Sequence, residues 1–337
     1  MDLTFTPEIE RAALTARAFV DERPPHPVGP GPLAGLAGLV RESPLAHFVV
    51  FRELGRLPAS WGEIFPAAGL EFHDLPGAGV SAEGARLTGL VYGDPRRGPE
   101  GAALGIDARP SVTHGDTWNL HGVALAPGYL APVDSLLIAA NVPGEVPDVG
   151  LFALAKLAER SVAPRHGLLR MELRGTSVRV LARGDQARDF LRGLRRRERL
   201  SQIALAVGAA GRAHDESLNA AREATRAKDP LALGQGVQFH VADSAIDLQV
   251  AETLALHCAT LAEARTLPDA TLASTRFMVL DAFARIAQRA AHVATLFAAT
   301  PPAWSEVFLD LAHRLRLEGG AVELDRRDAA RGLLQSA

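Results

Sequence analysis

The sequence is poor in the residues that mark several common classes of protein. Its 337 residues include one cysteine, Cys258, so no disulfide can close within the chain, and a reducing cytoplasm is the expected setting. Aromatic residues make up only 5%, and there are two tyrosines. An excess of charge of one sign is also missing. The formal net charge is −3, which gives no whole-chain field for attracting nucleic acid. No stretch holds the ~18 consecutive apolar residues that a membrane-spanning helix needs. The opening "MDLTFTPEIERAAL" lacks the basic stretch and apolar core of a secretory signal. There is no G-x-S-x-G, and His257 and Cys258 have no partner at metal-ligand spacing, so neither a serine hydrolase nor a metal site is expected. The glycines of "GPGPLAG" follow no strand and are separated by proline, which makes a turn rather than a dinucleotide loop.

What remains is a soluble-protein composition, 47% hydrophobic and 22% charged, long enough for two or three domains. The pattern divides it in three. Residues 1–83 read as helical. "TPEIERAALTARAFVDE" starts with Thr-Pro, which suits an N-cap followed by proline in the first turn. "RPPHPVGPGP" then interrupts regular structure, and "LAGLAGLVRES" and "LAHFVVFRELGRL" resume near a helical period. Residues 84–185 carry short apolar runs between Gly, Pro and Asp clusters, among them "TWNLHGVAL", "DSLLIAANV" and "SVRVLA". That spacing predicts an antiparallel β domain, a barrel or sandwich, with "THGDTW" as a hairpin whose tip is Gly115 and Asp116.

Residues 186–337 are helical in pattern. Ile246, Val250, Leu254, Cys258 and Leu261 fall on one helix face, and Phe283, Ile286, Ala290, Val293 and Phe297 form a bundle seam. Breaks at "KDPLALG", "RTLPDA" and "ATPP" leave helices near 199–227, 235–265, 270–299 and 303–318, an antiparallel four-helix bundle. The fold class is therefore α+β.

This order, together with particular residues, resembles the acyl-CoA dehydrogenase family. "GDTWNLHGVALAPGYLAPVDSLLIAANV" looks like the family's β-domain hairpin, and "GLLRMELRGTSVRV" like the segment that leads into its bundle. "ERLSQIALAVGAAGRAHDESLNAA" resembles the first bundle helix and "LGQGVQFHVADSAIDLQVAETL" the second. "LRLEGGAVELDRRDA" is similar to the segment with a Gly-Gly pair and a closing R-D-A. The resemblance spans roughly residues 40–337. It implies a flavoprotein of fatty acid metabolism that oxidises an acyl-CoA thioester to the 2,3-enoyl form. A carboxylate removes the α-proton and FAD accepts a hydride from the β-carbon. It also implies a homodimer or homotetramer with an electron-transfer flavoprotein as oxidant.

In many relatives the base is a glutamate after R-D-A, and here "ARGLLQSA" holds none. The isovaleryl- and long-chain-type members place it just before the arginine that opens the first bundle helix. That register puts Glu198 on the base and Arg199 on its partner, with no gap. At a helix start the dipole and Arg199 would favour the ionised carboxylate, while burial would oppose this. The rest of "LRGLRRRER" reads as a solvated face or a contact for a CoA phosphate.

The resemblance assigns cofactor contacts to Gln235, Gly319 and Gly320, and Arg316 stands where the family has a glutamine. Arg222 or Arg226 could supply the charge that Ala224 has lost. Ala227 replaces a phenylalanine, Ala126 and Gly128 replace a tryptophan and a threonine near the flavin ring, and "YGDPRRGPE" keeps only Asp94 and Pro95 of an expected loop. A second reading stays open: a degenerate, non-catalytic member that binds no flavin and acts as a binding or assembly subunit.

Overall fold

The computed structural model describes residues 5–22, 36, 43–57, 88–92, 105–111, 117–127, 135–143, 148–155, 164–165, 168–223, 225–226, 229–230, 234–296, 302–317 and 320–335. Two helices come first, α1 (Pro7–Asp21) and α2 (Pro44–Gly55), each with proline in its opening turn. Thr6 caps α1 through its extended backbone alone, whereas the Ser43 hydroxyl of α2 accepts from the Ala46 amide. The helical reading of "LAGLAGLVRES" falls largely outside the described residues.

The strands follow as β1 (Thr88–Tyr92), β2 (Ile106–Pro110), β3 (Thr117–Pro127), β4 (Ser135–Val142), β5 (Asp148–Ala155), the two-residue β6 (Pro164–Arg165) and β7 (Leu168–Arg183). β2 and β3 form the expected hairpin, closed by Ser111 N–H donating to Thr117 O at 2.8 Å. Its tip lies outside the described residues. The expectation of a wholly antiparallel sheet needs correction. β4 pairs antiparallel with β5 along one edge, but along the other it pairs parallel with β1 and then, at Asn141, with β2. With β3–β7 and β5–β7 the pairings run round a ring. The apolar runs were readable strand by strand. Direction was not, because alternation along a strand says nothing about which way its neighbour runs.

After Gly184 comes α3 (Asp185–Glu223), 39 residues long. The expected start near residue 199 is wrong by about four turns. Ala187, Leu191 and Leu194 form an apolar stripe that packs on Leu137, Ala139 and Leu151 of the sheet, and arginine is itself a good helix former. The first turns of α3 thus lie against the sheet, and the rest of the helix enters the bundle. A minor hairpin, β8 (Thr225–Arg226) with β9 (Asp229–Pro230), leads to α4 (Gln235–Glu263), α5 (Asp269–Thr295), α6 (Ala303–Leu315) and α7 (Val322–Gln335). Among the described residues, the bundle region therefore holds five helices where four were expected. The fifth is formed by "VELDRRDAARGLLQ".

Within α5 the predicted seam holds, with Phe283, Ile286, Ala290 and Val293 all buried, while Phe297 lies outside the described residues. Along α4 only the second half of the predicted face is covered. Cys258 is buried, but Ile246 and Val250 are exposed, as is Phe239. Burial pushes the Cys258 thiol up to about 12, so it stays protonated inside the bundle.

Candidate functional site

α3 is enclosed on most sides from residue 199 to 211, where every side chain is buried. α2 crosses it where both helices have lost their side chains. A Cβ on Gly208 would stand 1.9 Å from the Arg52 carbonyl oxygen, and one on Gly55 would stand 2.4 Å from that of Leu205. Only glycine permits this approach. Further along the same contact, His47 Nε2 lies 2.8 Å from Ser201 Oγ, and the Ser201 hydroxyl donates to Arg197 O at 3.0 Å. His47 therefore serves as the donor to Ser201. Burial and the nearby Arg197 charge push His47 down to about 3, so the ring is neutral at working pH.

The opposite side of α3 is held by charge. Arg195 NH2 reaches Asp328 Oδ2 at 3.2 Å, and Arg199 NH2 reaches Asp328 Oδ2 at 2.8 Å and Asp325 Oδ1 at 2.7 Å. Asp325 also pairs with Arg276 NH1. Arg276, with no exposed surface, donates through Nε to Gln202 Oε1 at 2.6 Å and through NH2 to Leu315 O at 2.9 Å. Buried ions persist only when partnered in this way. The hydrogen bond from Arg199 and the charges of Arg195 and Arg199 outweigh burial and hold Asp328 below the usual carboxylate range.

These contacts correct the reading of "RRRER". Arg195 and Arg199 are buried, and Arg196 pairs with Asp269 and donates to Leu267 O at 2.6 Å, so of the arginines in this run Arg197 alone is exposed. Glu198 is half-buried and sits in the fourth turn of α3. The helix dipole acts only within the first and last turns and does not bear on it. Arg199, expected as its partner, is committed to Asp325 and Asp328.

The remaining predicted positions lie elsewhere in the bundle. Gln235 is exposed in the first turn of α4, after Gly234, which offers no side-chain cap. Arg226 stands in β8, opposite Asp229. Arg316 NH1 donates to Asp281 Oδ1 at 3.0 Å, and Asp281 shares Arg285 with Asp247 of α4. Gly320 is buried at φ +105°, a conformation that favours glycine; Gly319 is outside the described residues. Asp325 and Arg276 thus connect the Glu198–Arg199 segment to the turn that holds Gly320. The described contacts do not bring Arg226 or Gln235 to that network.

The network residues Arg276, Asp325 and Asp328 were not singled out from the sequence, though a signal was present. Two acids spaced i, i+3 in "ELDRRDA" match two arginines spaced i, i+4 in "RRRER". His47 gave no comparable signal. Among the described residues, no three His, Cys, Asp or Glu side chains cluster to hold a metal, and no helix is long and apolar enough to cross a membrane.

Residues 192–334 match the C-terminal domain of acyl-CoA dehydrogenases. Over these residues the chain carries a C-terminal domain of the acyl-CoA dehydrogenase family. The fold agrees over the whole length. Butyryl-CoA dehydrogenase from Megasphaera elsdenii matches with a TM-score of 0.80 at 15% identity, covering 99% of this chain and 100% of its own. Glutaryl-CoA dehydrogenase from Mycobacterium smegmatis matches with a TM-score of 0.79 at 17% identity, covering 99% and 96%. PigA, solved with FAD and proline, matches with a TM-score of 0.82 at 12% identity, covering 100% of both chains. No curated protein matches the chain.

Two separate features of the described residues suit anionic groups such as those of a dinucleotide. The α4 start presents backbone amides beside Gln235, with open space around Gly236, and helix N-termini suit phosphate. Arg316 uses one of its five donors on Asp281, and the buried Gly320 turn has no Cβ to hold a ligand away.

Proposed function

We propose that the protein is a flavin-dependent dehydrogenase of acyl-CoA thioesters, built from parts at 1–83, 84–185 and 186–337, with Glu198 as its base. One observation carries this reading. Glu198 is half-buried in a helix fixed on one side by the glycine crossing with α2 and on the other by the carboxylates of α7. A base on such a rigid element keeps its geometry through the reaction.

In this reading, Glu198 takes the proton from the carbon next to the thioester carbonyl. Bound FAD supplies the acceptor for the hydride from the next carbon. Gln235, Arg226, Arg316, Gly319 and Gly320 hold the cofactor's phosphates and adenosine. Arg195 and Arg199 leave their charges with Asp325 and Asp328, and so act on Glu198 through the position of the helix. The exposed Phe239, Ile246 and Val250 on α4 support a homodimer or homotetramer, because such apolar side chains are commonly covered by a partner. An electron-transfer flavoprotein is the oxidant that fits this chemistry. A single buried cysteine accords with the cytoplasm.

A flavin-free binding or assembly subunit is the second reading, favoured by the pairing of Arg316 with Asp281 and by Ala126 in place of the ring-stacking tryptophan. Glu198→Gln separates the roles. With FAD bound, the variant is expected to keep the flavin absorbance and to lose its reduction by a panel of acyl-CoA thioesters. Reduction at the wild-type rate would show that another group is the base.

A further inference from the structure

We infer that Arg276 is a positioning residue that locks the Gly320 turn and the Glu198 segment of α3 into one register. The inference rests on the flavin site proposed above. Arg276 is wholly enclosed, and its guanidinium serves three elements at once: Gln202 on α3, the last carbonyl of α6 at Leu315, and Asp325 in the first turn of α7. Leu315 and Asp325 bracket the turn that holds Gly320, so a single rigid fork grips both of its ends. Among the described residues, the turn's own bonds are local: Leu317 N–H to Arg314 O at 2.9 Å, Val322 N–H to Arg316 O at 3.1 Å and Leu324 N–H to Ala321 O at 2.8 Å.

Asp325 carries the coupling onward by charge, because its second oxygen forms an ion pair with Arg199, the neighbour of Glu198 in α3. A shift of the turn that would hold the cofactor therefore pulls on the turn of α3 that carries the base. A hydrophobic contact between α5 and α7 would stabilise the bundle as well and avoid desolvating two charges, but it would not fix these two turns against each other. Lysine could not replace the fork, since its single ammonium cannot reach three acceptors in fixed directions.

The test uses the full chain and two variants. Arg276→Lys keeps the charge beside Asp325 and gives up the grip on Leu315 O. The double variant R276M/D325L removes the pair together and leaves Arg199 with Asp328. Hydrogen exchange at Leu317, Val322 and Leu324 is measured alongside FAD affinity by absorbance titration and the thermal midpoint. In both variants exchange at the three amides is expected to speed up by about tenfold or more, and FAD affinity to fall by a similar factor. The midpoint of the double variant is expected to stay near that of the wild type. Unchanged protection of the three amides overturns the brace, whatever the flavin does. Lost protection with intact FAD affinity overturns its role toward the site. Wild-type protein that takes up no FAD overturns the proposed function, and the exchange result then decides the brace alone.

Discussion

The two sides of α3 solve the same packing problem by opposite means. Toward α2 the helix gives up side chains, so that Gly208 and Gly55 bring backbones into contact; the buried polar pair there is neutral, His47 with Ser201, and the charged pair Arg56–Asp215 sits part-exposed at the α2 C-terminus. Toward α5 and α7 it buries charge, with Arg195 and Arg199 set against Asp325 and Asp328 and with Arg276 behind them. The first solution tolerates no added atom. The second tolerates no lost partner. Glu198 lies between them, which explains how a residue in a charged run can be held in place.

The largest effect should come from breaking the charged side. Asp325→Ala leaves Arg276 and Arg199 without their shared carboxylate and is expected to cost about 3–5 kcal/mol, read as a lowered calorimetric midpoint. A midpoint within error of the wild type would mean that the network is solvated in solution. On the glycine side, Gly208→Ala forces a Cβ into the Arg52 carbonyl and is expected to cost about 1–3 kcal/mol, with α2 moved away from α3. A variant of wild-type stability would show that the crossing is looser than described.

The smallest effect concerns acid. The folded state depresses His47 from 6.5 to about 3, so between those values the unfolded chain binds a proton that the folded chain excludes. Stability from this site is full above about pH 6.5 and falls as the pH drops toward 3. Glu53 adds a second loss at lower pH. Burial would raise it, but Arg17 and Arg52 hold it below its ordinary 4.5, so its contribution fades only as the pH falls through the folded value. His47→Phe should therefore narrow the difference in midpoint between pH 7 and pH 5, while the loss below pH 4.5 remains. An unchanged difference would show that His47 does not set the acid sensitivity in this window.

Much of this architecture was legible in the sequence because it is written in local pattern. The apolar runs located the larger strands, and the seam through Phe283 and Val293 located α5. What was not legible depends on partners distant in the chain. Arg195 looks solvated, and Arg199 looks like the partner of Glu198, until Asp325 and Asp328, well over a hundred residues later, are folded against them. The start of α3 was misplaced for a related reason: Leu191 and Leu194 have little apolar company within the helix and are explained only by the sheet beneath them. Strand direction was hidden as well, since β1 and β2 run parallel to β4 with nothing in their own residues to show it.

The absorption spectrum of the purified chain, titrated with FAD, tests the central claim most directly. The account predicts stoichiometric uptake, with a shifted flavin band that bleaches on addition of an acyl-CoA substrate and persists in Glu198→Gln. A colourless protein that takes up no added FAD would contradict it.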